Sequence, residues 1–242
     1  SDVSVLDGGL PAWEKAGYRI YSGVHVPSNA FAEVIEHEAG TPWITAEELK
    51  KMQGIVATAM EQGAVGLSTG LIYLPGMYAK TDEVVALAQT AKQYGGVYAS
   101  HIRNEEGGVV DAINEALNIG RSANIPVEIS HFKVSGRANW GRSKETLALI
   151  EKARAEGYDV TIDQYPYTAS STNLGVRLPD WALSGGQDSL KQRIADPATH
   201  KRIIEGMLAQ LKQYKYKDYY FAVVAQHQAD TSLNGKSIKE IN

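Results

Sequence analysis

From residue 64 to residue 165 the chain alternates strand-like and helix-like segments, and that rhythm narrows what it can fold into. AVGLSTGL (64–71), GVYASHI (96–102), PVEISHF (126–132) and YDVTIDQY (158–165) are short, nearly continuous apolar runs that predict strands. Between them, residues 82–95, 108–124 and 143–157 carry apolar side chains at helical spacing. Parallel strands need a crossover between them, so this alternation predicts a parallel sheet covered by helices. The helix-to-strand links are short and glycine-rich (Gly95, Gly96, Gly157), whereas the strand-to-helix links are long and polar. A (β/α) barrel shows that asymmetry when its site lies at the C-terminal strand ends.

The flanks are less regular. Residues 3–6 suggest a short strand, and a short helix is expected from Pro11, which suits a first helical turn. A connector then runs through Pro27, Gly40 and Pro42. Thr45 followed by Glu48 is a capping-box pattern that opens a helix with the apolar stripe Leu49, Met52, Ile55, Val56 and Met60. Beyond Tyr165 a long polar loop reaches to about residue 187, and loops of that length are often functional. A helix is expected over 189–212 with a break at Asp196-Pro197, then a strand at YYFAVVAQ (219–226), then a helix-like end.

Composition excludes several classes of function. The chain has no cysteine, which removes disulfides, cysteine-type zinc sites and thiol catalysis. A net charge of −4 gives no electrostatic case for nucleic acid or an anionic membrane. No apolar run has the length of a membrane span and no signal-peptide pattern is present, so a cytoplasmic location is expected.

Two histidines carry the chemistry. His101 and His131 lie 30 residues apart, each near the end of a predicted strand, with a helix between. Both imidazoles should therefore emerge at the same end of adjacent strands, close enough to share one zinc-type ion. His25, His37, His200 and His227 fall in linker, helix or tail contexts and read as exposed polar residues. Lys133 follows His131 by two, so on an extended strand both point the same way, and Arg103 stands in the same relation to His101. Either cation could hold a substrate carboxylate or simply sit at the rim. Asp163 could ligate metal or orient a histidine. Tyr165, Tyr167, Ser170 and Ser171 offer hydroxyls to a substrate. GLSTGLIYLPG (66–76) lacks the GK[ST] of a phosphate-binding loop.

GAVGLSTGLIYLPGMYAKTDEVVALA, GGVYASHIRNE, IPVEISHFKVSGRANWG and DVTIDQYPYTASSTNL, in this order, resemble the D-aminoacylases, the N-acyl-D-amino-acid deacylases of the amidohydrolase superfamily. The resemblance implies a zinc-dependent (β/α)8 TIM-type barrel, of which residues 45–242 would supply about strands 4 to 7 with their helices. It also implies hydrolysis of the amide of a small-molecule N-acyl-D-amino acid, with His101 and His131 as metal ligands. Tyr73, Lys133, Tyr165, Ser170 and Ser171 correspond to substrate-side positions.

The chain departs from the family pattern in having no His-X-His motif and no cysteine. The catalytic aspartate that the family carries after its eighth strand is expected beyond Asn242, leaving the catalytic residue unassigned. Impaired or absent activity is therefore expected, the alternative being an inactive half-barrel that associates through open sheet edges. Residues 1–44 resemble the tail and linker of a rhodanese-type sulfurtransferase, and without a cysteine no sulfur transfer is expected from them.

Overall fold

The computed structural model describes residues 44–241 and, outside that range, Lys15 alone. The strand at 3–6, the helix from Pro11, the connector and the rhodanese-like reading of residues 1–44 lie outside the described residues, apart from the last residue of that range and Lys15. The described segment belongs to one unit, residues 42–242.

Helix α1 (Ala46–Glu61) starts where the sequence placed it. The Thr45 hydroxyl accepts from the Glu48 N–H at 3.2 Å, and the Glu48 carboxylate accepts from the Thr45 N–H at 2.6 Å. Two of the four N–H groups that a helix start leaves unpaired are satisfied in this way. Four strands follow: β1 (Gly66–Gly70), β2 (Val97–His101), β3 (Val127–Ile129) and β4 (Val160–Ile162). They form one parallel sheet in the order β1-β2-β3-β4. Between them run α2 (Thr81–Gln93), α3 (Val109–Ala123) and α4 (Ser143–Ala155). Helix α2 packs on β1 and β2, α3 on β3, and α4 on β4, with successive helices touching one another.

The sheet is less apolar than the sequence suggested. In β2 the outer positions Val97 and His101 and the middle Ala99 are not buried, while Tyr98 and Ser100 are. Helices cover the face that carries Tyr98, Val127, Ile129 and Val160, and these side chains enter one core with Ile113, Leu117 and Ile150. Tyr98 keeps its hydroxyl bonded to Thr69 (2.8 Å) and Ser100 (3.2 Å), which offsets the cost of burying it. The opposite face is the one that carries His101. Ser68 and Thr161 on that face are exposed, while Glu128 and His101 are half-buried. Alternation is faint in the sequence because small residues such as Ser68, Ala99 and Thr161 occupy much of that second face.

Past β4 the chain runs in loop to the short α5 (Asp180–Leu183), then α6 (Gly186–Ala195) and α7 (Pro197–Gln213). The break falls at Asp196, whose carboxylate accepts from the Thr199 N–H and caps α7, with Pro197 at its first position. The strand expected at 219–226 is not formed. Tyr219–Phe221 is a 3-10 turn capped by Asp218, and Phe221 stacks on Tyr216 with ring centroids 4.1 Å apart. Only an isolated bridge from Val223 to Ser237 remains there, beside the terminal helix α8 (Ile238–Ile241). Local aromatic stacking outweighs the β-propensity of YYFAVV. Among the described residues, no helix is long and apolar enough to cross a membrane.

Candidate metal centre

Gly70, the last residue of β1, is register partner of His101, the last residue of β2. The His101 side chain leaves the sheet at its C-terminal edge, where it packs against Tyr73 with ring centroids 4.8 Å apart. Its Nε2 is buried and makes no hydrogen bond; the nearest carboxylate oxygen, Oε1 of Glu105, lies 3.8 Å away. Burial holds the His101 pKa below its usual value against the opposing pull of Glu105, with His131 and Lys133 adding to the depression. The ring is thus neutral near pH 7, as a metal ligand must be.

His131 reaches the same place by a different route. It lies two residues past the end of β3, with φ of +42°, a conformation uncommon for a residue other than glycine. Its N–H is turned out of the sheet ladder and donates to Oδ1 of Asp163 at 2.5 Å, while the next residue returns to the ladder through Phe132 N–H to the Asp163 carbonyl. The two imidazoles meet edge to face, with centroids 4.3 Å apart. Because His131 is not extended, Lys133 does not come alongside it through strand alternation. The lysine reaches back, and its Nζ lies 3.0 Å from His131 Nδ1 and 3.1 Å from the His131 carbonyl.

Glu105 closes the group and had no counterpart in the sequence reading. Its Oε1 is 2.5 Å from Lys133 Nζ and 3.0 Å from His131 Nδ1. His101, Glu105 and His131 each offer one donor atom, all within 4.8 Å of one another. Two imidazoles, one of them with an unbonded ring nitrogen, and a carboxylate make a donor set that fits zinc. Glu105 sits in the loop after β2, where neither periodicity nor spacing marks a side chain as inward. The only available signal was an acid four residues past a strand-end histidine, in HIRNE.

The cluster lies in the wall of a cavity of about 1040 Å³. Tyr73, His101, His131, Lys133, Tyr165, Ser170 and Ser171 all line it, as does Tyr167. The Tyr73 hydroxyl pairs with Thr172 at 3.0 Å, and Lys133 Nζ stands 5.5 Å from the Tyr165 ring centroid. Arg103 also borders the cavity but is committed to the fold. It donates to both Glu115 oxygens at 2.8 Å and to the carbonyls of Met77 and Ala79, so it serves as a structural clamp rather than a substrate cation. Across the cavity Arg177 pairs with Glu106 at 3.3 Å, and burial together with Glu106 pushes the Tyr214 phenol well above its usual range. Asp163 stands outside the donor group and positions His131. It also joins burial in raising the carboxyl of Glu128.

The parallel sheet thus carries a histidine pair at its C-terminal edge, opening on a cavity lined by polar side chains. No family model matches the chain. It is 46% identical over 130 residues to the D-aminoacylase of Alcaligenes xylosoxydans xylosoxydans, which covers 54% of this chain and 27% of that protein. A crystal structure of D-aminoacylase, described as defining a novel subset of amidohydrolases, superposes on it with TM-score 0.60 and 34% identity. That match covers 82% of this chain and 34% of the other. The N-acyl-D-glutamate deacylase of Bordetella bronchiseptica, solved with zinc and a phosphonate inhibitor, gives TM-score 0.51 and 45% identity over 53% of this chain and 27% of that one. Over the matched residues the chain is similar to D-aminoacylases and N-acyl-D-amino-acid deacylases. The chain spans about a quarter of the length of the curated relatives it matches.

Proposed function

We propose that residues 44–241 form the zinc- and substrate-binding portion of an N-acyl-D-amino-acid deacylase, with His101 and His131 as zinc ligands. One observation carries this reading: two imidazoles from adjacent strand ends converge on one carboxylate at a cavity wall, and one of them has a buried, unbonded nitrogen. The similarity to deacylases, one of them solved with zinc, supports it.

Zinc held by His101 and His131 would supply Lewis acidity for the scissile carbonyl and for a water nucleophile. The protein groups bind and orient. Lys133 offers an ammonium to the carboxylate of the D-amino acid, and the hydroxyls of Tyr73, Tyr165, Ser170 and Ser171 surround the remaining polar atoms of the substrate. With neither a His-X-His motif nor a cysteine in the sequence, its donors support a single-zinc site, and turnover by this chain alone is weak or absent.

The purified chain, equilibrated with zinc and dialysed, should retain a single ion by elemental analysis. His101→Ala and His131→Ala should each lose it. Retention of zinc at the wild-type level in either variant would refute the ligand assignment. Binding of N-acetyl-D-amino acids to the same preparations, measured by calorimetry, tests the substrate class, and equal affinity for the L-enantiomer would count against it.

A further inference from the structure

The geometry points to Lys133 as an exchangeable occupant of the metal cradle: its ammonium and a divalent cation compete for Oε1 of Glu105 and Nδ1 of His131, and metal binding releases the lysine into the cavity. This rests on the zinc reading above and extends it to Glu105 and Lys133.

An ammonium has three donors and no acceptor. Those of Lys133 face Glu105 Oε1 (2.5 Å), His131 Nδ1 (3.0 Å) and the His131 carbonyl (3.1 Å), so each has a partner within the cluster. Accepting from an ammonium requires an unprotonated Nδ1, which is the form that binds metal. That lone pair and the Glu105 oxygen lie only 3.0 Å apart and would repel each other without a cation between them. The structure therefore presents a cation cradle, and a lysine head group fills it.

A divalent ion on the same donors cannot share them with Nζ, because like charges at such separations repel strongly in a half-buried site. The lysine must then leave. Its stem is flexible, and the Tyr165 ring, 5.5 Å from Nζ, offers the ammonium an aromatic face beside the open cavity. Glu105 with the two histidines then completes the two-imidazole, one-carboxylate donor set that leaves a fourth zinc position open. Lys133 becomes free to meet a carboxylate only after the metal has replaced it, so metal and carboxylate binding reinforce each other.

Zinc titration of the full chain by calorimetry, with wild type, Lys133→Met, Lys133→Ala and Glu105→Gln, tests this. Both lysine variants should bind zinc about tenfold or more tightly than wild type, and Glu105→Gln about tenfold or more weakly. If wild type binds zinc and both lysine variants bind it no more tightly, Lys133 only positions its neighbours and the exchange is wrong. Wild-type affinity in Glu105→Gln would equally overturn it. If no protein in the set binds zinc, the metal reading itself fails and takes the exchange with it.

Discussion

The N–H of His131 donates to Oδ1 of Asp163 across the β3–β4 pair, at a histidine whose backbone takes the left-handed conformation. The conformation is uncommon for a side chain of this type and persists only where its surroundings fix it. Asp163→Ala removes the acceptor while leaving both imidazoles and Glu105 in the sequence. The His131 ring should then sample extended backbone and lose its approach to His101. Zinc affinity should fall by about 10- to 100-fold, the usual cost of removing a partner behind a ligand. Asp163→Asn keeps an acceptor oxygen and should recover much of the loss. Titration of both variants checks this, and equal affinity in Asp163→Ala and wild type would show that His131 needs no such anchor.

A second prediction concerns the packing of α3 on β3. Gly120 lies in α3, where an added Cβ would be driven into Cγ2 of Val127 and toward the carbonyl of Ile125. Val127 is buried and β-branched, with little freedom to move aside. Helix propensity favours alanine over glycine by about 1 kcal/mol, whereas overpacking a filled core costs about 1–3 kcal/mol. The clash should dominate. Gly120→Ala should lower the Tm by several degrees in a thermal melt, and a rise would show that α3 can shift outward at little cost.

What could be read from the sequence, and what could not, divides along physical lines. Helices α2, α3 and α4 and the parallel order of the strands follow from apolar periodicity and link length, which are local properties. The convergence of His101 and His131 also follows, because strand ends in a parallel sheet share one edge. The strands themselves are shorter than their apolar runs; β3 ends at Ile129, and the backbone leaves the ladder at His131. That turn depends on a side chain 32 residues away and leaves no local trace. An extended strand would place Lys133 beside His131, yet the lysine reaches the cluster by folding back. Arg103 looked equivalent and is consumed by Glu115, a partner on another element. Glu105 was missed because a loop acid carries no periodic signal.

The clamp that withdraws Arg103 from the cavity gives a third prediction. Its guanidinium joins the loop after β2 to Glu115 on α3 and to two carbonyls of the segment before α2. Hydrogen bonds to charged groups contribute about 1.5–3 kcal/mol each and are not additive here. Arg103→Met should lower the unfolding free energy by about 2–4 kcal/mol, since it leaves Glu115 half-buried without its cation. Zinc affinity should fall far less than in His101→Ala. Denaturant unfolding with zinc titration separates the two effects, and a loss of zinc binding with stability unchanged would place Arg103 in the site after all.

The same pair gives a dependence on pH. Burial acts to raise the Glu115 carboxyl, but the hydrogen bonds from Arg103 and Thr81, with the charge of Arg103, outweigh it and hold the group below its ordinary value. A carboxyl depressed in the folded state binds protons more readily when unfolded, so it stabilises the fold above the unfolded pKa of about 4.3. That contribution is lost as pH falls from there through the lower folded value. Glu115→Gln abolishes this titration and should flatten the acid limb of a stability-against-pH curve, by at most about 1.4 kcal/mol per pH unit. The variant should be less stable than wild type near pH 7 and approach it near pH 3. Parallel curves for the two proteins between pH 6 and pH 3 would mean that Arg103 and Glu115 hold each other no more tightly than exposed charges do.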